Sequence, residues 1–141
     1  SREKYKRLFG IYPKTFAAPG FKTNKNVLEI LDKFNVLVIS DLSGDKPFKV
    51  NGTKIINVPI TIKGKNNVPI IEYLTTKNYS DDKILNYLKN KIVNKKYSII
   101  YIHDLFECIE KIDLLEKLFK FTKERKIENK CIYKYNTNTI N

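Results

Sequence analysis

The sequence predicts an α/β fold in which most strands are parallel. Apolar runs of strand length, such as Val36-Leu37-Val38-Ile39, alternate along the chain with segments whose apolar residues recur at helical spacing. The runs do not alternate polar and apolar residues, which is typical of parallel strands buried on both faces. From this pattern alone the sheet can be open or barrel-like.

The helices are predicted from apolar spacing and from residues that begin or end a helix. Residues 2 to 9 indicate the end of a helix that Gly10 stops, and residues 24 to 34 form an amphipathic helix. A third helix begins after the N-cap residue Ser80, which two aspartates follow. Leucines spaced around Leu118 mark the last one.

The other strands are predicted from apolar runs between turn residues. Thr15 to Ala18 is a short strand, and Ile55 to Ile62 and Val68 to Ile71 are extended segments. Ser98 to Ile102 is the second strongly apolar strand. Cys131 to Tyr135 is a candidate for the last strand.

The composition is that of a globular domain with a hydrophobic core. The chain has 141 residues, of which 42% are hydrophobic and 30% charged. We predict one domain over residues 1–135 and a polar tail at 136–141. No apolar run approaches the roughly 20 residues that a transmembrane helix needs. Cys108 and Cys131 lie outside any CxxC pair, which favours a reducing compartment and predicts a cytoplasmic location.

The net charge of +12 comes almost entirely from lysine, since only Arg2, Arg7 and Arg125 are arginines. The lysines are spread along the whole chain among many Asn and Ile residues, as a generally lysine-rich proteome would produce. This argues against nucleic acid as the partner. An anionic membrane surface, with the protein bound peripherally, stays open as an alternative.

Polar or unusual residues follow three of the predicted strands. Pro19-Gly20-Phe21-Lys22, Ser40-Asp41 and His103-Asp104 each come directly after an apolar run. Functional residues of parallel α/β folds collect on the rim where strands end and loops begin. We therefore expect the three segments to share one rim.

Two of these residues are candidates for proton transfer. His103 is the only histidine in the chain, and an imidazole exchanges its proton near neutral pH. The alternative is a structural histidine that precedes a helix capped by Asp104. Asp41 could orient an imidazole, as carboxylate partners of histidine do, or it could only open a turn.

The segment after the first strand is a candidate ligand-binding turn. The small residues from Ala17 to Gly20 let a ligand approach the backbone closely. Lys22 adds a cation, although an ordinary solvated lysine is the alternative. The sequence has no HExxH pair, phosphate-binding loop or GxSxG motif, and one histidine cannot supply a His-rich zinc site. No metal ligand is predicted in this chain.

Four segments together resemble the second half of the polysaccharide deacetylase (NodB-homology) family. They are, in chain order, Thr15 to Lys22, Ile39 to Phe48, Asn57 to Ile62 and Ile100 to Asp104. The resemblance covers roughly residues 5 to 128. It is greatest with the branch that includes the 4-deoxy-4-formamido-L-arabinose-phosphoundecaprenol deformylase.

The resemblance implies the C-terminal part of a distorted (β/α) barrel. It also implies a metal-dependent hydrolase that removes an N-formyl or N-acetyl group from an amino sugar, free or carried on a glycolipid. By resemblance His103 is the general acid, and Asp41 helps to set the state of that histidine. Phe21 forms a wall of the substrate pocket, and Lys22 stands where the deformylase branch has arginine. Pro19 and Gly20 complete the substrate-binding segment.

Two departures from the family pattern matter. Many members of the family have an arginine before the proline, whereas Ala17 or Ala18 stands there in this chain. The deformylase branch also lacks that arginine. The N-terminal motifs, which hold the catalytic base and the ligands of a divalent metal such as zinc, are not in this sequence. With no methionine in the chain, we expect that Ser1 is not a native start. The N-terminal half of the domain is then a required partner, and this chain alone is inactive.

Two other interpretations remain open at this point. The chain could be a non-catalytic α/β module that binds sugar, anionic lipid or nucleic acid. It could also be a structural half that needs its complement in order to fold.

Overall fold

The structure, a computed structural model, describes residues 2–129 and residue 132. These fall into two compact units, the first described over residues 2–59 and the second over Ile60–Asn129. The described chain is mixed α/β, with six α-helices and a small four-stranded sheet that is mostly parallel. The predicted α/β class is therefore confirmed at this level. The tail at 136–141 lies outside the described residues, as does nearly all of the last predicted strand.

The helices of the first unit lie where the sequence predicts them. α1 (Arg2–Phe9) ends at Gly10, whose φ of 74° gives the left-handed conformation that closes many helices. α2 (Lys25–Lys33) begins after Asn24, whose side chain accepts a hydrogen bond from the Val27 N–H. That bond satisfies one of the free N–H groups in the first turn.

The sheet also lies in the first unit. Its strands are β1 (Thr15–Phe16), β2 (Val38–Ile39), β3 (Phe48–Lys49) and β4 (Ile56–Asn57), in the spatial order β1-β2-β4-β3. β2 pairs in parallel with both β1 and β4, and β3 pairs antiparallel with β4. The two central strands are buried, as the unbroken apolar run before Ser40 predicts.

The core of the first unit is built from α2, the central strands and the residues that flank them. Its buried members are Leu31, Val36, Ile39, Val50 and Ile55. Phe16 and Phe48, on the outer strands, pack against this cluster. Aliphatic and aromatic side chains of α2 and of the strand segments thus pack together in one cluster.

The second unit contains the other helices. They are α3 (Ile70–Thr76), α4 (Asp81–Val93), α5 (Glu107–Glu110) and α6 (Ile112–Glu124). α4 begins after Ser80, whose hydroxyl accepts a hydrogen bond from the N–H of Lys83, as predicted. Aliphatic side chains of α3, α4 and α6 form one core cluster. Within the described ranges, no helix is long and apolar enough to cross a membrane.

Two strands predicted for this unit are wrong. Val68 to Ile71 enters α3 instead, because Pro69 stands at its N-cap and the following isoleucines lie on the buried face of that helix. Ser98 to Ile102 forms no assigned strand and is mostly half-buried. It bonds to a segment that is distant in the sequence, since the N–H groups of Thr61 and Ile62 both donate to the Ile99 carbonyl at 3.1 Å. His103 therefore follows a mostly half-buried segment without assigned secondary structure rather than a buried strand.

Candidate functional site

The predicted substrate-binding segment forms a tight turn directly after β1. Pro19–Phe21 is one 3₁₀ turn in which Gly20 has a φ of 64° and Phe21 a φ of 57°. A Cβ on Gly20 would meet no atom within 4 Å, so glycine is favoured here by backbone conformation and not by crowding. Pro19, Gly20 and Lys22 are exposed, and Phe21 is half-buried. The turn presents its backbone and one cation at the surface of the first unit.

Asp41 anchors this turn to the end of β2. Its Oδ1 accepts a hydrogen bond from the Ala18 N–H at 2.7 Å, and its Oδ2 accepts one from the Thr23 hydroxyl. The side chain is buried, so these bonds replace the water that the carboxylate loses. Asp41 thus ties the residues just before and after the turn to the central strand.

Asn57 organises the other side of Asp41. Its side chain is fully buried on β4, and its Oδ1 accepts from the N–H groups of Asp41 and Leu42 at 3.2 and 3.0 Å. Its Nδ2 donates to the Leu42 carbonyl at 2.9 Å. Asn57 was not among the site residues predicted from the sequence. The available signal was a polar residue inside the apolar run from Ile55 to Ile62.

His103 lies in the second unit, where its imidazole pairs with Glu72. The His103 Nδ1 is 2.9 Å from the Glu72 Oε2, and 55% of the histidine side chain is exposed. Glu72 belongs to α3, so the pair joins residues 31 positions apart. Because Nδ1 faces the carboxylate, Nε2 is the ring nitrogen that this pair leaves for a ligand.

Glu107 holds the backbone of His103. The His103 N–H donates to the Glu107 Oε2 at 2.8 Å, and the Glu107 N–H donates to the His103 carbonyl at 3.1 Å. The Glu107 side chain is 0% exposed. Its other oxygen, Oε1, is buried with no hydrogen-bond partner in the part of the chain that the structure describes.

Tyr101 completes this group of side chains. Its ring meets the His103 ring edge-on, with the two centroids 5.9 Å apart. Burial, and then the negative charges of Glu72 and Glu107, raise the pKa of the Tyr101 phenol above its ordinary value. The phenol therefore stays neutral beside two carboxylates. We call these four residues, Tyr101, His103, Glu72 and Glu107, the His103 cluster.

The structure brings some of the predicted site residues together. Asp41 contacts both ends of the turn that contains Pro19 and Gly20, and both lie in the first unit. His103 belongs to the second unit. The role of Asp41 toward His103 stays a prediction, since the hydrogen bonds described here join His103 to Glu72 and Glu107.

Sequence reasoning missed both glutamates of the His103 cluster. Glu72 follows the segment that was predicted to be extended, and its partner is distant in the chain, so no local pattern reveals the pair. Glu107 lies four positions after His103, about one helical turn. At that spacing a side chain can reach back to a free backbone N–H, and this signal could have found it.

The resemblance places the ligands of its divalent metal in the N-terminal half of the domain, so the metal stays a prediction. Across residues 2–129 and 132, no group of three or more His, Cys, Asp or Glu side chains could hold a metal ion. We therefore assign no residue of the described chain to a metal.

Comparison with known proteins leaves the family open. Neither the protein-family models nor the curated proteins gave a match to this chain. The resemblance to the polysaccharide deacetylase family rests on the order of its four segments, and membership is part of the proposal below.

Proposed function

We propose that this chain is part of a metal-dependent amide hydrolase of the polysaccharide deacetylase type. It removes an N-formyl or N-acetyl group from an amino sugar, either free or lipid-linked. The observation that carries the proposal is the His103–Glu72 pair, an exposed imidazole whose Nδ1 faces a carboxylate at 2.9 Å. Such a pair is suited to moving a proton at the opposite nitrogen.

The proton is needed when the amide bond breaks. Cleavage adds water to the carbonyl carbon and expels the sugar nitrogen, which is a poor leaving group until it gains a proton. We assign that proton to the His103 Nε2. The Glu72 carboxylate, 2.9 Å from Nδ1, keeps the ring in one orientation.

The substrate-contacting roles follow the resemblance. They fall to Pro19, Gly20, Phe21 and Lys22. The exposed turn supports this assignment, because the backbone at Gly20 carries no side chain and lets a sugar approach closely. Asp41 supports it as well, since its two hydrogen bonds hold both ends of the turn.

The same resemblance extends the proposal to the rest of the domain. The chain would be the C-terminal part of a distorted (β/α) barrel. The N-terminal half, as its partner, would supply the ligands of a divalent metal such as zinc. We also propose a cytoplasmic location, with the protein bound peripherally to anionic membrane through its lysines.

Replacing the histidine tests the proposal. In the protein that contains both halves of the domain, His103→Ala should lower kcat for amide hydrolysis roughly 10²–10⁴-fold, the range expected for loss of a general acid. The assay follows formate or acetate released from N-acylated amino sugars. Asp104→Asn is the matched control, because Asp104 is the exposed neighbour whose carboxylate accepts only from the adjacent Leu105 N–H within the described residues. Hydrolysis by His103→Ala at the wild-type rate would contradict the assignment.

A further inference from the structure

We infer that Glu107 is a positioning residue for the general acid, a role that rests on the proposed function of His103. Its carboxylate accepts from the His103 N–H, and its own N–H donates to the His103 carbonyl. The two bonds hold the backbone on both sides of the His103 Cα. Since the direction of Cβ follows from the backbone, they fix where the imidazole leaves the chain.

Core packing does not explain a glutamate at this position. Glu107 is the buried residue of α5, whereas its neighbours Leu105 and Ile109 are 74% and 66% exposed. A carboxylate is thus buried here while two nearby aliphatic side chains are exposed, which burial of apolar surface would not favour.

The hydrogen bonding of the buried Glu107 carboxyl group is incomplete. Oε2 has one backbone donor, and Oε1 has no partner in the described ranges. A carboxylate with an unpaired oxygen is costly to bury, and an apolar side chain of similar size is often neutral or stabilising in its place. The contact that an apolar residue could not supply is the bond to the His103 N–H.

The carboxylate also faces the rest of the cluster. The charges of Glu107 and Glu72 both act on the Tyr101 phenol, whose ring contacts His103. Glu107 therefore stands within the group that surrounds the imidazole. It contacts the histidine through the backbone, whereas Glu72 contacts the ring.

Three variants of the full chain, assayed together with its partner half, test the inference. Glu107→Met removes the acceptor and keeps the volume, and Glu107→Gln keeps an acceptor oxygen without the charge. Glu110→Gln is the control, because it removes an exposed carboxylate from the same helix. The measurements are kcat, KM, the melting transition and the hydrogen exchange of the His103 amide by NMR. His103 is the only histidine, so isotopic labelling of histidine alone gives a single backbone amide signal.

The Met variant should exchange the His103 amide proton faster and lose roughly 10²-fold in kcat at unchanged KM, the effect of a misplaced catalytic group. The Gln variant should stay near wild type in both readouts, as should the control. A Met variant with unchanged kcat and amide exchange would overturn the inference. So would a Met variant that no longer melts cooperatively, because the carboxylate would then be needed for folding.

Two further outcomes separate this inference from the function on which it rests. A Gln variant that loses kcat as the Met variant does would show that charge, and not the backbone bond, is what matters, and would overturn the positioning role. If His103→Ala keeps full activity, the proposed function fails by itself. The amide exchange of His103 then still shows whether Glu107 holds that backbone.

Discussion

Asp41 and Glu107 are the two buried carboxylates of the described chain, and their hydrogen bonding differs. Both oxygens of Asp41 accept from donors on either side of the Pro19–Phe21 turn, so its burial is compensated locally. Glu107 has one such bond and one unpaired oxygen. At the scale of the residue, the fully bonded carboxylate of Asp41 fits a structural role. The incomplete bonding of Glu107 is what its proposed positioning role explains.

Tyr101 gives a pH-dependent prediction at the same scale. Its raised pKa means that the folded protein holds the phenol proton at pH values where the unfolded chain has released it. The stabilisation is complete below the ordinary pKa of 10.0 and is lost as the pH rises through the folded value. Tyr101→Phe should therefore lose less stability than wild type above about pH 10.

Two measurements check the Tyr101 prediction. The phenolate absorbance that is missing from the Tyr101→Phe protein, obtained as a difference titration, should appear above pH 10.0. Chemical denaturation at several alkaline pH values gives the matching stability curves. If the Tyr101 phenolate instead appears at or below the ordinary pKa of 10.0, neither burial nor the charges of Glu72 and Glu107 raise the pKa of this phenol.

At the scale of the element, the sequence predicted helices better than strands. α2 and α4 have clear N-caps at Asn24 and Ser80 together with apolar residues at helical spacing, and both form as expected. The apolar runs were less informative, because a short run does not distinguish a strand from a buried helix face. Ile70 and Ile71 are such a case, since they belong to α3.

Only those parts of the candidate site that are formed by residues adjacent in the sequence were predictable. The turn at Pro19–Phe21 and the position of Asp41 after β2 follow from residues that are adjacent in sequence. The His103–Glu72 pair depends on how α3 lies within the second unit, which no local pattern contains. Long-range pairing of this kind is decided by packing, and one sequence does not reveal it.

α4 offers a stability prediction for the second unit. Leu88 is 0% exposed on this helix and belongs to the core cluster, so Leu88→Ala should lower the free energy of unfolding by about 2–5 kcal/mol. Val93→Ala is the control, because Val93 ends the same helix with 58% of its surface exposed and should change stability by about 0.5 kcal/mol or less. Equal effects in denaturant unfolding would contradict the assignment of the α4 core face.

At the scale of the whole molecule, each unit has its own hydrophobic core. Positive charge, in contrast, is found in both units, because lysines occur along the whole sequence. The core clusters of the two units share no residue. The net charge of +12 is lysine-based and spread over the full sequence. Spread lysines attract any anionic surface over a distance of about one Debye length, roughly 8 Å at physiological salt. They provide no arginine cluster for bidentate contacts with phosphate.

This charge predicts salt-sensitive binding to anionic membranes. Each lysine near an anionic surface contributes about 1 kcal/mol, so several together should hold the protein on vesicles that contain phosphatidylserine. We expect co-sedimentation with such vesicles at low salt, its loss as salt is raised, and none with neutral phosphatidylcholine vesicles. Equal binding to both vesicle types would show that exposed apolar side chains, and not lysines, carry the contact. Binding to DNA with a steeper salt dependence than that to vesicles would instead make nucleic acid the favoured partner.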